Sequence, residues 1–272
     1  IIDEVKVYAG ALTPDEVLVA NNAGSSINLG VGQTAGAELT DGAGNPPVGW
    51  WKLDENTGTS AFDSTGGGST GTLNHATLTW ATGKISSGVN FTNTGGNGNA
   101  RYITMGDVLD VGSNNFSISA WVKRTGNLPY TGSGEMYTFL DKWSTNGQES
   151  WSFLQYGSGE FALSLRDGGA DGHDVYTSNP FTNNQWYHIA ATVDRAGTAR
   201  LFVNGVPQLT SAFGTMASIT GSLSNTTALT IGRISDFSSG VGTPGTYMPF
   251  IIDEVKLYNY VRTPAQVAYE YS

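Results

Sequence analysis

WYHIAATVD at Trp186–Asp194 and ARLFVNGVPQ at Ala199–Gln208 are two short apolar runs of strand length. The second contains Asn204-Gly205, the strongest short-range hairpin signal, because both residues tolerate the positive φ of a two-residue turn. FSISAWVK at Phe116–Lys123 sets Phe116, Ile118, Ala120 and Val122 against Ser117, Ser119, Trp121 and Lys123, the period of a strand with two unlike faces. SFLQY and EFALSL, parted by Gly157-Ser158-Gly159, and ALTIGRI further on read the same way. Helix-sized apolar runs are absent, and 37 glycines punctuate the chain. The pattern is an all-β, antiparallel two-sheet jelly-roll sandwich, with helix confined to a short piece after the closing strand.

Composition narrows the function. No cysteine is present, which rules out a disulfide scaffold and thiolate metal sites. The 23 acidic against 13 basic residues give a net charge of −10, which disfavours nucleic acid and anionic lipid and suits cations. No apolar run approaches the roughly 18 residues of a membrane span, so no membrane insertion is expected. The chain opens at Ile1 without a signal-like segment, so it is expected to be processed or trimmed.

The chain also repeats itself. IIDEVKVY at Ile1–Tyr8 returns as IIDEVKLY at Ile251–Tyr258, with seven of eight residues identical. Thr13-Pro14 and Glu16 after the first copy, and Thr263-Pro264 and Gln266 after the second, each spell a capped helix start. We therefore read residues 1–22 as the closing strand and helix of a preceding or partner repeat, 23–49 as a Gly/Ser/Pro-containing linker, and 50–272 as the sandwich. A spare strand carrying Ile1, Ile2, Asp3, Val5 and Val7 is expected to dock on an adjacent repeat or a neighbouring copy. Filament formation and a tandem array cut one motif early are the two explanations for it.

WWKLDENTGTSAFDSTGGG, GKISSGVNFTN, FSISAWVKR, WYHIAATVD with LFVNGVPQ, ALTIGRI and FIIDEVKLYNYVRTPAQV occur in an order that resembles the laminin-G-like domains of the concanavalin A-like lectin/glucanase superfamily. The resemblance covers residues 50–272. It implies an extracellular or cell-surface module, frequently with one structural calcium. It also implies that a loop aspartate and a closing-strand aspartate share that calcium, and Asp63 and Asp253 match those positions. Gly66 lies in the glycine turn beside Asp63, whose carbonyls suit Ca2+. By strand alternation Asp253 is expected on the apolar face with Val255 and Leu257. The alternative is that Asp253 accepts backbone N–H bonds while Asp63 caps its turn.

Hydrolysis on this fold needs two carboxylates on one sheet face, and no Glu-x-Asp-x-Glu run exists. Asp253-Glu254 and Asp54-Glu55 are adjacent, and adjacent strand residues point to opposite faces. The chain is thus expected to be no enzyme. The two remaining classes are a structural or adhesive repeat unit and a carbohydrate-binding module. For a glycan partner the candidate residues are Trp143, Tyr156, Arg166, Asp171, His173 and Tyr176, aromatic faces beside planar polar groups. At Trp121, Trp151 and Trp186 core packing is the competing reading, and Trp143 is open to both.

Overall fold

The computed structural model describes residues 44–74, 78–91, 101–128, 136–144, 149–168, 172–233 and 249–272. The duplicated strand Ile1–Tyr8, its helix, most of the 23–49 linker and Asp171 lie outside the described residues. Pro46–Ser272 forms a compact unit.

Its strands are β1 (Gly49–Trp51), β2 (Ser60–Ala61), β3 (Gly71–Asn74), β4 (Thr79–Thr82), β5 (Ser87–Asn90), β6 (Tyr102–Gly106), β7 (Phe116–Arg124), β8 (Met136–Lys142), β9 (Ser150–Tyr156) and β10 (Phe161–Arg166). They continue as β11 (Gly172–Thr177), β12 (Trp186–Val193), β13 (Ala199–Val203), β14 (Val206–Pro207), β15 (Ser211–Phe213), β16 (Leu229–Ile231) and β17 (Phe250–Tyr258); besides a 3-10 turn at Met216–Ser218, the described residues hold one α-helix, α1 (Pro264–Tyr271). Sheet A runs β14-β13-β12-β7-β17-β5-β4, with β1 also on β17; sheet B runs β15-β11-β10-β9-β8-β16-β6-β3-β2. The pairings are antiparallel. The all-β sandwich with one short helix is thus as the alternation implies. The sandwich begins one residue before Trp50, at Gly49 of β1.

Alternating residues of both sheets meet in a single apolar core. Phe139, Phe153, Phe161, Phe181 and Phe250 interlock there, with edge-on contacts such as Phe139–Phe250 at 5.1 Å and 85°. The hairpin at Asn204-Gly205 forms with φ of 51° and 75° between β13 and β14. At the helix start the Thr263 side chain accepts from Gln266 N at 3.2 Å, and the Gln266 side chain accepts from Thr263 N at 2.9 Å. This is the reciprocal cap that the sequence spells.

One expectation about facing is overturned. The register of β17 against β7 shifts between Asp253 and Lys256, and Glu254 takes φ of 52°. The bulge adds a residue, so Asp253 pairs with Trp121 on the outer face of sheet A while Val255 and Leu257 face the core. Glu254 reaches the same outer side, accepting from Trp50 Nε1 at 2.7 Å. Strict alternation fails here because a bulge breaks the period of two.

Candidate functional site

The outer face of sheet B carries a continuous polar row. Ser60 of β2 pairs with Thr72 of β3, Thr72 with Thr104 of β6, and Thr104 with Thr230 of β16. Thr230 pairs with Asp141 of β8, Asp141 with Ser152 of β9, Ser152 with Ser164 of β10, and Ser164 with Asp174 of β11. Eight neighbouring strands therefore place only hydroxyls and carboxylates at one level, accessible at Ser60, Thr72 and Thr104 at one end and at Asp174 at the other. At roughly 4.8 Å per strand the row spans about 34 Å. Its source is local: each hydroxyl in Trp151-Ser152-Phe153, Leu163-Ser164-Leu165, Leu229-Thr230-Ile231 and Ile103-Thr104-Met105 sits between two core residues, so alternation turns it outward. The middle of the row is buried, and Ser152 Oγ and the nearby Thr138 Oγ1 find no hydrogen-bond partner among the described residues. An unmet buried hydroxyl is costly unless something else supplies the bond.

Around the β8–β11 end of this row the structure gathers several of the expected sugar-binding residues. Arg166 grips Asp174 through two bonds of 2.7 and 3.1 Å, and Ser164 Oγ donates to Asp174 Oδ1 at 2.5 Å. The same guanidinium lies 5.5 Å from the Trp143 ring centroid, and Trp143 N donates to Asp141 Oδ1 at 3.1 Å. Burial, and after it the Asp174 carboxylate, push the Tyr156 phenol up to about 12, so it remains a donor at any working pH. Tyr176 shares the outer face with Asp174, between Ala162 and Ser211. His173 is not brought into this group. It alternates with Asp174, pairs with Leu165 and lies buried on the Val175 side of β11. The row hydroxyls are not singled out by the sequence. The signal was a lone Ser or Thr between two large apolar residues, repeated from strand to strand.

The two aspartates expected to share a calcium each accept hydrogen bonds from a different turn. Asp63 Oδ1 accepts from Trp50 N at 3.3 Å, Thr65 N at 3.0 Å and Thr65 Oγ1 at 2.7 Å, while Oδ2 accepts from Ser69 N at 3.2 Å. Burial raises its pKa, but these bonds together hold it below the ordinary value. Gly66, at φ of 78°, completes the turn. Asp253 instead meets the β4–β5 turn: its Oδ2 accepts from Lys84 N at 2.8 Å and Ile85 N at 2.9 Å. Its Oδ1 is buried without a partner among the described residues. Burial, with Glu254 and Asp54 adding repulsion, raises Asp253 to about 7. Asp54 joins the same turn by accepting from Ser87 N at 3.1 Å. Leu53 and Glu254 both adopt left-handed backbone here, at φ of 59° and 52°. Among the described residues no group of three or more His, Cys, Asp or Glu is placed to hold a metal.

Of the tryptophans, Trp151 is wholly in the core, whereas Trp121 packs on the outer face of sheet A between His188 and Tyr271. No helix among the described residues is long and apolar enough to cross a membrane.

These features define a two-sheet β-sandwich with a row of hydroxyls and carboxylates on the outer side of one sheet. The chain belongs to the concanavalin A-like lectin/glucanases superfamily: a laminin-G-type family profile matches residues 97–268. A search of curated proteins returned no match. Among solved structures, the binding domain of Paraclostridial Mosquitocidal Protein 1 aligns with a TM-score of 0.61 at 15% identity, covering 83% of this chain and 52% of that one. The binding domain of Botulinum Neurotoxin serotype G gives 0.60 at 16%, covering 83% and 50%. The ligand-binding domain of Botulinum neurotoxin serotype D, in complex with N-acetylneuraminic acid, gives 0.59 at 14%, covering 83% and 50%. The chain spans about half the length of these structures, and at such identities the likeness concerns the fold.

Proposed function

We propose that this chain is a non-catalytic glycan-binding module of an extracellular adhesive protein, and that its ligand lies across the outer face of sheet B. The observation that carries this reading is the row of hydroxyls from Ser60 to Asp174, level across eight strands. A row perpendicular to the strands repeats its donors and acceptors at the strand spacing, comparable to the length of one pyranose ring. It therefore suits several consecutive residues of a neutral, extended sugar chain. Trp143 offers a ring face to one sugar, and the Arg166–Asp174 pair offers a fixed planar fork.

The same geometry speaks against hydrolysis. Asp141 and Asp174, the two carboxylates of the row, stand three strand steps apart, about 14 Å by strand spacing. Glycosidases place their pair within about 9.5 Å. Asp174 is also committed to Arg166.

The test is calorimetric titration with a panel of neutral oligosaccharides of increasing length. Affinity should rise with each added residue up to about the span of the row. Trp143→Ala and Thr72→Ala, the latter at an exposed member of the row, should each weaken binding by about tenfold while the melting temperature holds. No reducing sugar should be released. Length-independent binding, or binding untouched by both variants, would remove the row as the site.

Calcium remains part of this proposal, with Asp253 rather than Asp63 as its anchor. The buried, partnerless Asp253 Oδ1 beside Asp54 fits a hard cation, whereas Asp63 has both oxygens occupied by its own turn. Calcium there would tie β17 to the β4–β5 turn and lower the cost of the buried charge. The repeated strand supports a further element, a module linked to its neighbours through Ile1–Tyr8. Removing residues 1–22 should leave a folded unit that no longer associates with other copies on size exclusion. Association that survives the deletion would rule out strand-mediated linkage.

A further inference from the structure

An end strand of sheet A, β14, and an end strand of sheet B, β15, are joined directly by Gln208-Leu209-Thr210, and the rim they make is apolar. Three exposed large apolar side chains fall on this one short stretch: Val206 is 59% exposed, Leu209 96% and Phe213 64%. Apolar side chains gathered in this way, unlike ones scattered singly, mark a contact surface. Ser211, Ala212 and Phe213 of β15 are all exposed and pair only with β11 among the described residues. The strand carries no bulge, proline or charge. Sheet ends usually carry one of these guards, because their unpaired N–H and C=O groups are a template for another strand. Residues 201–232 contain no Asp, Glu, Lys, Arg or His, in a chain of net charge −10. Asp174, which pairs with Phe213, is itself bound by Arg166.

We infer that this rim is the acceptor for Ile1–Tyr8 of a second copy of this chain, added to β15 as a further strand of sheet B. The inference rests on the reading that this segment links copies, and it names where the link is made. The segment's counterpart already fills its slot in the sandwich: β17 has β7 on one side and β5 and β1 on the other. Displacing β17 and α1 would also lose a buried ion pair, because Leu12 and Ala20 stand where Arg262 and Glu270 stand in the later copy of the motif. That leaves the sheet ends. β14 is two residues long, and one of them is Pro207, without an N–H. β2 is also two residues long, and beside it Glu55 already accepts from Phe62 N. β4 leads into the turn that holds Asp253 and Asp54, acidic neighbours for Asp3-Glu4. Among these ends β15 combines exposed residues throughout, neutral surroundings and an apolar flank. Ile, Val and Tyr fill five of the eight positions of Ile1–Tyr8, which suits a strand laid beside Leu209 and Phe213. A strand of one copy on the rim of the next is a head-to-tail contact, so it builds a chain or ring of copies rather than a two-fold dimer.

The experiment uses the full chain throughout, read by light scattering after size exclusion over a concentration series. A donor variant, Val5→Pro, removes an N–H from the added strand. An acceptor variant, Leu209→Lys with Phe213→Lys, gives the rim the charge that guarded sheet ends carry, at two exposed positions. Wild type should form species larger than a dimer. Each variant alone should be monomeric, its association weakened at least about tenfold. Mixed in equal amounts, the two variants should form a heterodimer and stop there, because only one strand and one rim remain competent. That rescue also shows that both variants are folded. Association of the acceptor variant at wild-type strength would leave the strand link standing and overturn the rim as its acceptor. Association kept by Val5→Pro and lost only in the lysine variant would mean that rim meets rim, and would overturn the occupant. Two monomeric variants that fail to pair on mixing would overturn the inference as well. A wild type that stays monomeric at every concentration would remove the strand link itself, and the acceptor with it.

Discussion

Replacing Glu270 by alanine is expected to destabilise the protein by about 3–5 kcal/mol, read as a fall in denaturation midpoint at unchanged slope. Glu270 is the single acidic residue of α1, and its side chain is buried against sheet A. Its Oε1 accepts from Ser119 Oγ at 2.7 Å and lies 3.0 Å from Lys256 Nζ, and its Oε2 meets Arg262. Burial alone would raise its pKa, but the ammonium of Lys256 and the guanidinium of Arg262 hold the carboxyl well below its usual range. Alanine would leave Arg262, only 3% exposed, without its carboxylate inside the fold. The loss should undock α1, whose Val267 packs on Ala190 and Phe202. Glu270→Gln should cost less, because it keeps the bond from Ser119 and removes only charge. A Glu270→Ala protein within 1 kcal/mol of wild type would show that this network adds nothing beyond packing.

That network and the polar row mark the limit of what the sequence discloses. Strand alternation needs only nearest neighbours, so Phe116–Lys123, the Asn204-Gly205 hairpin and the Thr263–Gln266 cap are legible from single stretches. The hydroxyls of WSF, LSL, LTI and ITM are legible too, as outward positions in each strand. What no stretch reveals is that they fall level with one another. Register is set by pairings between residues as distant as Thr104 and Thr230, and by shifts such as those at Leu229/Thr230 and Thr138/Leu140. Asp253 fails for the converse reason. The alternation rule puts it with Val255, and only the bulge at Glu254, invisible in composition, moves it to the other face. Glu270 and Arg262 face each other because a helix of 8 residues folds back over the strand that precedes it. The sequence pairs Thr263 with Gln266 but leaves that return unspecified.

Asp253 yields the second large effect, and its sign is opposite to that of Glu270. Glu270, with a depressed pKa, contributes stability above the unfolded carboxylate value that is lost as pH falls through its native one. Asp253 is raised from 3.8 to about 7, chiefly by burial, so the native state binds a proton that the unfolded state releases. Its contribution is present in full below about pH 4 and is lost as pH rises towards 7. With chelator present, wild-type stability should therefore decline across that window by up to about 4 kcal/mol. Glu254 is raised by burial in the same bulge, and the two carboxyls repel each other, so the apparent transitions belong to the pair and not to either residue. Asp253→Asn keeps an acceptor for Lys84 N and Ile85 N while removing the charge. It should thus be more stable than wild type at pH 8 in chelator, and the advantage should vanish near pH 4. Calcium sharpens the test, because a cation bound only by the folded protein at a hundredfold excess over Kd adds about 2.7 kcal/mol. Wild type should gain that increment at pH 8 and Asp253→Asn should not. A wild-type melting temperature that is flat from pH 4 to 8 would refute the buried proton. One that ignores calcium would leave the β4–β5 turn, clamped by Lys84 and Ile85, as the whole reason Asp253 stands where it does.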